Sequence, residues 1–297
     1  MYPLDFEEFL IANGFSQSTI GFLKEKFDRF EAPDEAAHAR LMDLFRKYLL
    51  VGGLPEAVGV YLKENNISHV REIQKDIHDM YIEDAAKYEQ KSSSKLQIRR
   101  IYEMIPSVMG QRKKRIRASS VDERKSPRMN DYLDEFEYLI NSGIAVDVKA
   151  ISNPVFPLVQ SEQKNLLKLY MNDVGLLTGV LYHSNIKAVM ENIPSINLGA
   201  VYETAVAQEL RAHGRSLFYY DNRHKGEVDF LIDDYDVLSA VPLEVKSGRD
   251  YYIHSALNTF VNNDDYNTKY GIVLSNERNM TVKDRVKYMP IYYVMFI

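Results

Sequence analysis

Glu227-Val228-Asp229-Phe230-Leu231-Ile232 and Leu243-Glu244-Val245-Lys246 decide the reading of this chain, with Glu244 standing fifteen residues after Asp229. Side chains in a strand alternate between faces. Leu243 and Val245 therefore enter a core, and Glu244 and Lys246 point the other way together. Asp229 alternates in the same manner with Val228 and Phe230. Two acids and a lysine on one sheet face are costly to hold dry and unpaired. A divalent cation satisfies both carboxylates, and Mg²⁺ needs few of them because it takes oxygen ligands and keeps several waters. Such an ion lowers the pKa of a bound water and neutralises a phosphate. Lys246 is then placed to steady charge developing on phosphorus.

The surrounding hundred or so residues read as one α/β unit, 197–297. Leu198, Val201, Tyr202, Ala205 and Val206 recur on one helical face. Strands are predicted over Leu217–Tyr220, Val228–Ile232, Val241–Val245, Ile272–Leu274 and Ile291–Ile297, with a helix carrying Ala256, Leu257 and Phe260 between them.

Upstream, residues 91–196 have a different grammar. Ile101, Met104, Ile105 and Val108 mark a helix, and Gln111 to Pro127 is a polar, basic turn. Asn130 is placed to cap a second helix that bears Tyr132, Leu133, Phe136, Leu139 and Ile140 and stops at Asn141-Ser142-Gly143. Strand-like runs Ile144–Val148 and Leu166–Tyr170 follow. Helix, basic turn, helix and hairpin is the order of a winged helix-turn-helix, against the plainer reading of a helical connector with solvated charges. Residues 1–90 are predicted helical, with a break at Gly52-Gly53-Leu54-Pro55 where glycine ends one helix and proline opens the next. The fold class expected is mixed α+β or α/β: a helical start, a winged-helix-like middle and a nuclease-like α/β end.

The net charge of −5 in 297 residues argues against a general polyanion binder, but its distribution is uneven. Between Lys91 and Arg128 there are twelve Lys/Arg and three Asp/Glu, a local +9, leaving −14 for the rest. Such asymmetry points to an anionic partner at one place. Arg112, Lys113, Lys114 and Arg115 are the candidate nucleic-acid contacts, with DNA as the expected partner. There are no cysteines, which excludes disulfides and thiolate–zinc sites. The seven histidines show no metal-ligand spacing. No apolar stretch reaches the roughly 18 residues of a membrane span, and the acidic start is no secretory signal. The cytoplasm is the expected compartment.

Asp229 followed by Glu244-Val245-Lys246 resembles the PD-(D/E)XK nuclease motif. That family also places a glutamate on the helix before the first strand, which Glu203 in Tyr202-Glu203-Thr204-Ala205-Val206 fits. More broadly, the chain is similar to a prokaryotic family of AAA-type ATPases carrying this nuclease-like domain at the C-terminus. The similarity lies in Pro3-Leu4-Asp5-Phe6-Glu7-Glu8-Phe9-Leu10, Gly52-Gly53-Leu54-Pro55-Glu56, Lys168-Leu169-Tyr170-Met171-Asn172-Asp173-Val174-Gly175-Leu176-Leu177 and Glu227 to Phe230 with Glu244 to Gly248. The resemblance implies Mg²⁺ or Mn²⁺ held by Glu203, Asp229, Glu244 and the Val245 carbonyl, with Asp229, Glu244 and Lys246 catalytic. The family's ATPase module precedes the Pro-Leu-Asp-Phe segment, where this sequence begins, and no G-x-x-x-x-G-K-[ST] phosphate loop occurs in it. No ATP site is therefore expected, the sequence being a piece or a natural truncation. Residues 1–90 would then be the rest of a helical lid, and the ATPase domain or another protein a further partner. Three function classes stay open: a metal-dependent DNA endonuclease, a non-catalytic DNA-binding or regulatory module, and a protein-interaction scaffold.

Overall fold

A computed structural model describes residues 2–88, 92–111, 113–116, 118–121, 128–183, 185–193, 196–222, 226–248 and 251–297. Helices open the chain: α1 (Phe6–Ala12), α2 (Gln17–Asp28), α3 (Glu35–Val51), α4 (Pro55–Glu64), α5 (Ile67–Tyr88), α6 (Ser92–Met109), α7 (Ala118–Val121) and α8 (Leu133–Asn141). Strands β1 (Ala145–Ile151) and β2 (Glu162–Met171) follow, then α9 (Val174–Tyr182), α10 (Ile186–Met190) and α11 (Gly199–Ala212). The chain continues with β3 (Phe218–Asn222), β4 (Gly226–Asp234), β5 (Ser239–Lys246), α12 (Ser255–Val261), β6 (Gly271–Ser275), β7 (Thr281–Lys283) and β8 (Val286–Pro290). The fold is thus mixed α and β, helical first and sheet-built in its second half.

Among the described residues, eight strands form one sheet in the order β2-β1-β3-β4-β5-β6-β8-β7. β1 pairs antiparallel with β2 and parallel with β3, so the hairpin read as a wing is the edge of the common sheet. The larger apolar cluster likewise runs from Phe6 through Ile105 and Tyr170 to Met295, across the sequence boundaries at 90/91 and 196/197. A smaller cluster, including Val228, Leu231, Leu257 and Phe260, fills the space beneath α12.

Two local expectations are corrected. Asn130 does not cap a helix; it lies within a 3₁₀ turn, Met129–Tyr132, and α8 begins at Leu133 with no side-chain cap. Ile291–Ile297 is not a strand, because the last strand ends at Pro290 and Ile291–Phe296 forms a 3₁₀ helix whose first five residues are all buried. An apolar run without alternation is compatible with either conformation.

The glycine pair does more than end α3. Gly52 has φ +72°, and a Cβ there would stand 2.1 Å from the Asp173 carboxylate. A Cβ at Gly53 would stand 1.9 Å from the Leu4 carbonyl oxygen. Asp173 caps α9, accepting from the Leu176 N–H at 3.0 Å, and also accepts from the Gly53 N–H at 2.6 Å. The chain start, the α3–α4 turn and α9 are thereby locked together, and α11 is locked to them. Glu209 Oε1 accepts from the Phe6 N–H at 2.8 Å and from Tyr48 Oη at 2.9 Å, and Gln208 Nε2 donates to Tyr48 Oη at 2.8 Å. A helix fixed at one end in this way holds its other side chains in register with the sheet.

Candidate active site

α11 carries Glu203 along with Gln208 and Glu209, and every residue from Ala200 to Leu210 is buried. Glu203 is only 4% exposed. Asp229 lies in β4, half-buried, and Glu244 and Lys246 end β5. The antiparallel β4–β5 ladder has Phe230 opposite Leu243 as its last pair, so Asp229 falls opposite Glu244 just past it. There the Asp229 carboxylate takes over the ladder's role, accepting from the Val245 N–H at 2.9 Å. Leu243 and Val245 join the larger core, which turns Glu244 and Lys246 to the other face as the alternation predicts. The turn after Lys246 is pinned by Asn192 and Asn276, whose amides donate to the Ser247 carbonyl at 3.0 and 2.9 Å.

Lys246 Nζ donates to Glu244 Oε1 at 2.8 Å, and Glu244 Oε2 is buried with no hydrogen-bond partner. Tyr170 Oη, from β2, donates to Glu203 Oε2 at 3.2 Å, and Lys114 Nζ donates to Glu203 Oε1. Burial, then the charge of Asp229, pushes Glu203 up to about 7, against the pull of Lys114 and Lys168. Burial, then Asp229, pushes Glu244 up to about 8, with Lys246 opposing and Glu203 adding to the rise. Asp229 therefore acts on both glutamates, and the three acids form one electrostatic unit. Burial lowers the Lys114 pKa, but Glu203 and Asp229 outweigh it and the net shift is upward.

The basic segment turns inward onto this face. Lys114 pairs with Glu203, Arg115 pairs with Asp221 and stands 3.8 Å from Glu227, and Lys113 lies 3.7 Å from Asp221. Lys113 is exposed, Lys114 and Arg115 are half-buried, and Arg112 lies outside the described residues. Lys168 is fully buried; its ammonium is 2.5 Å from Glu227 and 4.5 Å from the Tyr219 ring centre. The Glu227 contact lacks hydrogen-bond alignment, so it is a charge contact only. Among the described residues no three His, Asp or Glu side chains converge closely enough to hold an ion as they stand; lysines sit on two of the carboxylates instead.

Sequence reading did not assign Lys168, Tyr170, Asp221 and Glu227 to the site. Glu227 was within reach, since it shares a face with Asp229 at the two-residue strand period. Lys168 and Tyr170 alternate in the same way on β2, but only their contacts in the folded chain, with Glu227 and Glu203, bring them to this face.

Residues 42–187 match a domain of unknown function, DUF8612. Residues 198–294 match a second domain of unknown function, DUF4143. DUF4143 is typically found at the C-terminus of AAA-ATPase-associated proteins. The second match contains Glu203, Asp229, Glu244 and Lys246; the first contains the basic segment and β2. Neither the curated proteins nor the solved structures compared with the chain gave a match. Among the described residues no helix is long and apolar enough to cross a membrane.

Proposed function

We propose that this face is a divalent-metal site for phosphodiester hydrolysis on DNA, in a module associated with an AAA-type ATPase. The observation that carries the reading is the pair of facing strand ends. They set Asp229 opposite Glu244, leave Glu244 Oε2 buried and bare, and place Lys246 on the same face. A bare, buried carboxylate oxygen is an unmet demand for a cation or a proton. The donor set is all oxygen, which suits Mg²⁺ or Mn²⁺ and, without cysteine, excludes a thiolate site.

Asp229 and Glu244 would hold the ion, with the Val245 carbonyl and Glu203 as further oxygen donors. When bound, the ion supplies a lowered pKa for an attacking water and positive charge for the phosphate. The chain's own part is separate. Lys246, now on Glu244, is free to turn to the phosphate once Glu244 has another partner, and its charge then steadies the pentavalent transition state. Tyr170 orients Glu203 by donating to its Oε2. Lys114 neutralises Glu203, while Lys113 and Arg115 stand on the neighbouring Asp221.

That inward use of the basic segment supports a second reading. Three of the four cations expected to meet DNA phosphates are engaged with acids of the same chain, which favours a non-catalytic regulatory module whose ion network is purely structural. Plasmid cleavage with Mn²⁺ separates the two. On the hydrolytic reading Asp229→Ala abolishes metal binding and cleavage together, while Lys246→Ala keeps metal binding and loses cleavage. If neither the wild-type chain nor any variant cuts DNA although Mn²⁺ binds, the regulatory reading stands.

A further inference from the structure

Beyond Lys246 the chain crosses from β5 to α12 on the face that carries Glu244. Pro242, Glu244 and Lys246 share that face by strand alternation. A Cβ at Gly271 would stand 3.3 Å from Pro242 Cγ and 3.1 Å from Leu257 Cδ1, so α12 packs where Pro242 points. Val273, which pairs with Glu244 in the β5–β6 ladder, joins the same smaller core as Leu257 and Phe260. A Cβ at Gly226, where β4 begins, would stand 2.9 Å from the Ala256 Cβ. The approach to α12, residues 251–254, therefore lies over the face of Lys246. Burial lowers the His254 pKa and the charge of Lys246 adds to the fall, which puts the imidazole within electrostatic reach of that ammonium.

These four residues divide into two anchors and two exposed side chains. His254 is 4% exposed, and its Nε2 shares a 2.7 Å hydrogen bond with Tyr288 Oη. Tyr251 is half-buried and meets the Tyr288 ring at 78°, with ring centres 6.1 Å apart. Tyr288 belongs to the smaller core, so both anchors are tied to the sheet. Between them, Tyr252 is 62% and Ile253 60% exposed. The Tyr251 ring braces that of Tyr252 at 5.7 Å and 78°, a perpendicular contact rather than a stack. Single apolar side chains on a surface are ordinary. Here two adjacent ones, one of them aromatic, are held out by fixed neighbours on the face that carries Lys246. Lys283 adds a second positive charge that acts on His254.

We propose that Tyr252 and Ile253 form a stacking platform for an unpaired DNA base, beside the strand end that presents Lys246 to the phosphate. The inference rests on the DNA reading of the acidic face and names its substrate class, single-stranded or locally opened DNA. Every base has a π-face, so an exposed tyrosine stacks on it with little sequence preference. An aliphatic neighbour fills the step between two bases. A base inside a duplex shows only its edges, so the platform serves bases outside the stack. Continuity with Lys246 and Lys283 favours a phosphate-bearing partner over an apolar protein surface, whose recognition needs no cation beside it.

The chain has no tryptophan, so Tyr252→Trp gives a single reporter whose emission stacking should quench. The probe is a short single-stranded oligothymidylate, titrated into the full chain at low salt with Ca²⁺ in place of Mg²⁺ or Mn²⁺. Saturable quenching is expected, and none with an abasic strand of equal length. By anisotropy, the wild-type chain should bind the abasic strand about tenfold more weakly, the loss of one stacked base. Tyr252→Ala, which changes an exposed side chain, should bind the base-bearing strand about tenfold more weakly and no longer distinguish the two. Tyr252→Phe should restore the difference, and annealing the strand to its complement should weaken binding to the wild type. The proposal is overturned if the wild type binds no single strand, binds both strands equally or prefers the duplex. It is also overturned if Tyr252→Ala binds like the wild type, which leaves the pair to a protein partner, or loses affinity for both strands alike. Such a failure with Mn²⁺-dependent plasmid cleavage intact leaves the hydrolytic reading standing, whereas base-dependent quenching without cleavage keeps the platform and removes hydrolysis.

Discussion

Removing Lys114 gives a pH-dependent stability loss whose size follows from the structure. The Lys114 and Glu203 side chains are 18% and 5% exposed, so solvent screens the pair weakly. Lys114→Met keeps the apolar stem and deletes the charge. Breaking a buried pair by removing one partner costs about 3–5 kcal/mol when the remaining charge cannot escape. Glu203 does have an escape, because its carboxyl already titrates near 7 and takes a proton more readily once Lys114 is gone. At pH 6 it is protonated in both proteins, leaving only a lost hydrogen bond of about 1 kcal/mol. At pH 8 the wild-type carboxyl is ionised and the variant must hold its proton one pH unit further. That adds about 1.4 kcal/mol. The sign follows from linkage. A carboxyl raised above its unfolded value makes stability fall as pH rises toward the folded pKa. In the variant that fall continues past 7, whereas in the wild type it levels off. Urea melts of both proteins at pH 6 and pH 8 should therefore differ by about 1 and about 2–3 kcal/mol respectively. An equal difference at both pH values would refute the pairing of Lys114 with a buried, proton-exchanging Glu203.

Other consequences are open to the same measurements. The wild-type chain should be more stable at pH 6.5 than at pH 8 by a few degrees in melting temperature, because burial holds Asp173, Glu203 and Glu244 at about 6, 7 and 8, so protons are bound that the unfolded chain has released. Below that window His38 and His78, lowered by burial, oppose the trend and flatten it, so the window from pH 6.5 to 8 is the one to measure, and a flat profile there would count against the site. Gly52→Ala should cost at least about 2 kcal/mol in urea unfolding, since the new methyl meets the Asp173 carboxylate at a positive φ. Tyr48→Phe should cost about 1–2 kcal/mol by leaving Gln208 and Glu209 each short of a partner, and a change under half that would show the α11 anchor to lie elsewhere.

The strand alternation of Glu227 to Ile232 and of Leu243 to Lys246 was readable because a two-residue period sorts side chains by face without knowledge of neighbours. The helix break at Gly52-Gly53 was readable for a similar reason, since glycine and proline act locally. What stayed hidden was long-range. Nothing in Ile144–Tyr170 says that its hairpin joins β3 rather than standing alone, because a parallel partner lies more than sixty residues away in the sequence. The charge run Lys113–Arg115 reads as an outward patch, since a cation's direction is set by which acids the fold brings to it, here Glu203 and Asp221.

The most direct test of the metal site is titration calorimetry of Mn²⁺ into the wild-type chain and into Glu244→Gln. The substitution keeps the shape of the side chain and its contact to Lys246 but removes the carboxylate charge at the bare, buried oxygen. The account predicts a saturable Mn²⁺ isotherm for the wild type and its loss in Glu244→Gln, with both proteins folded. A wild-type chain that takes up no Mn²⁺, or a Glu244→Gln variant that binds it as tightly, would contradict the account.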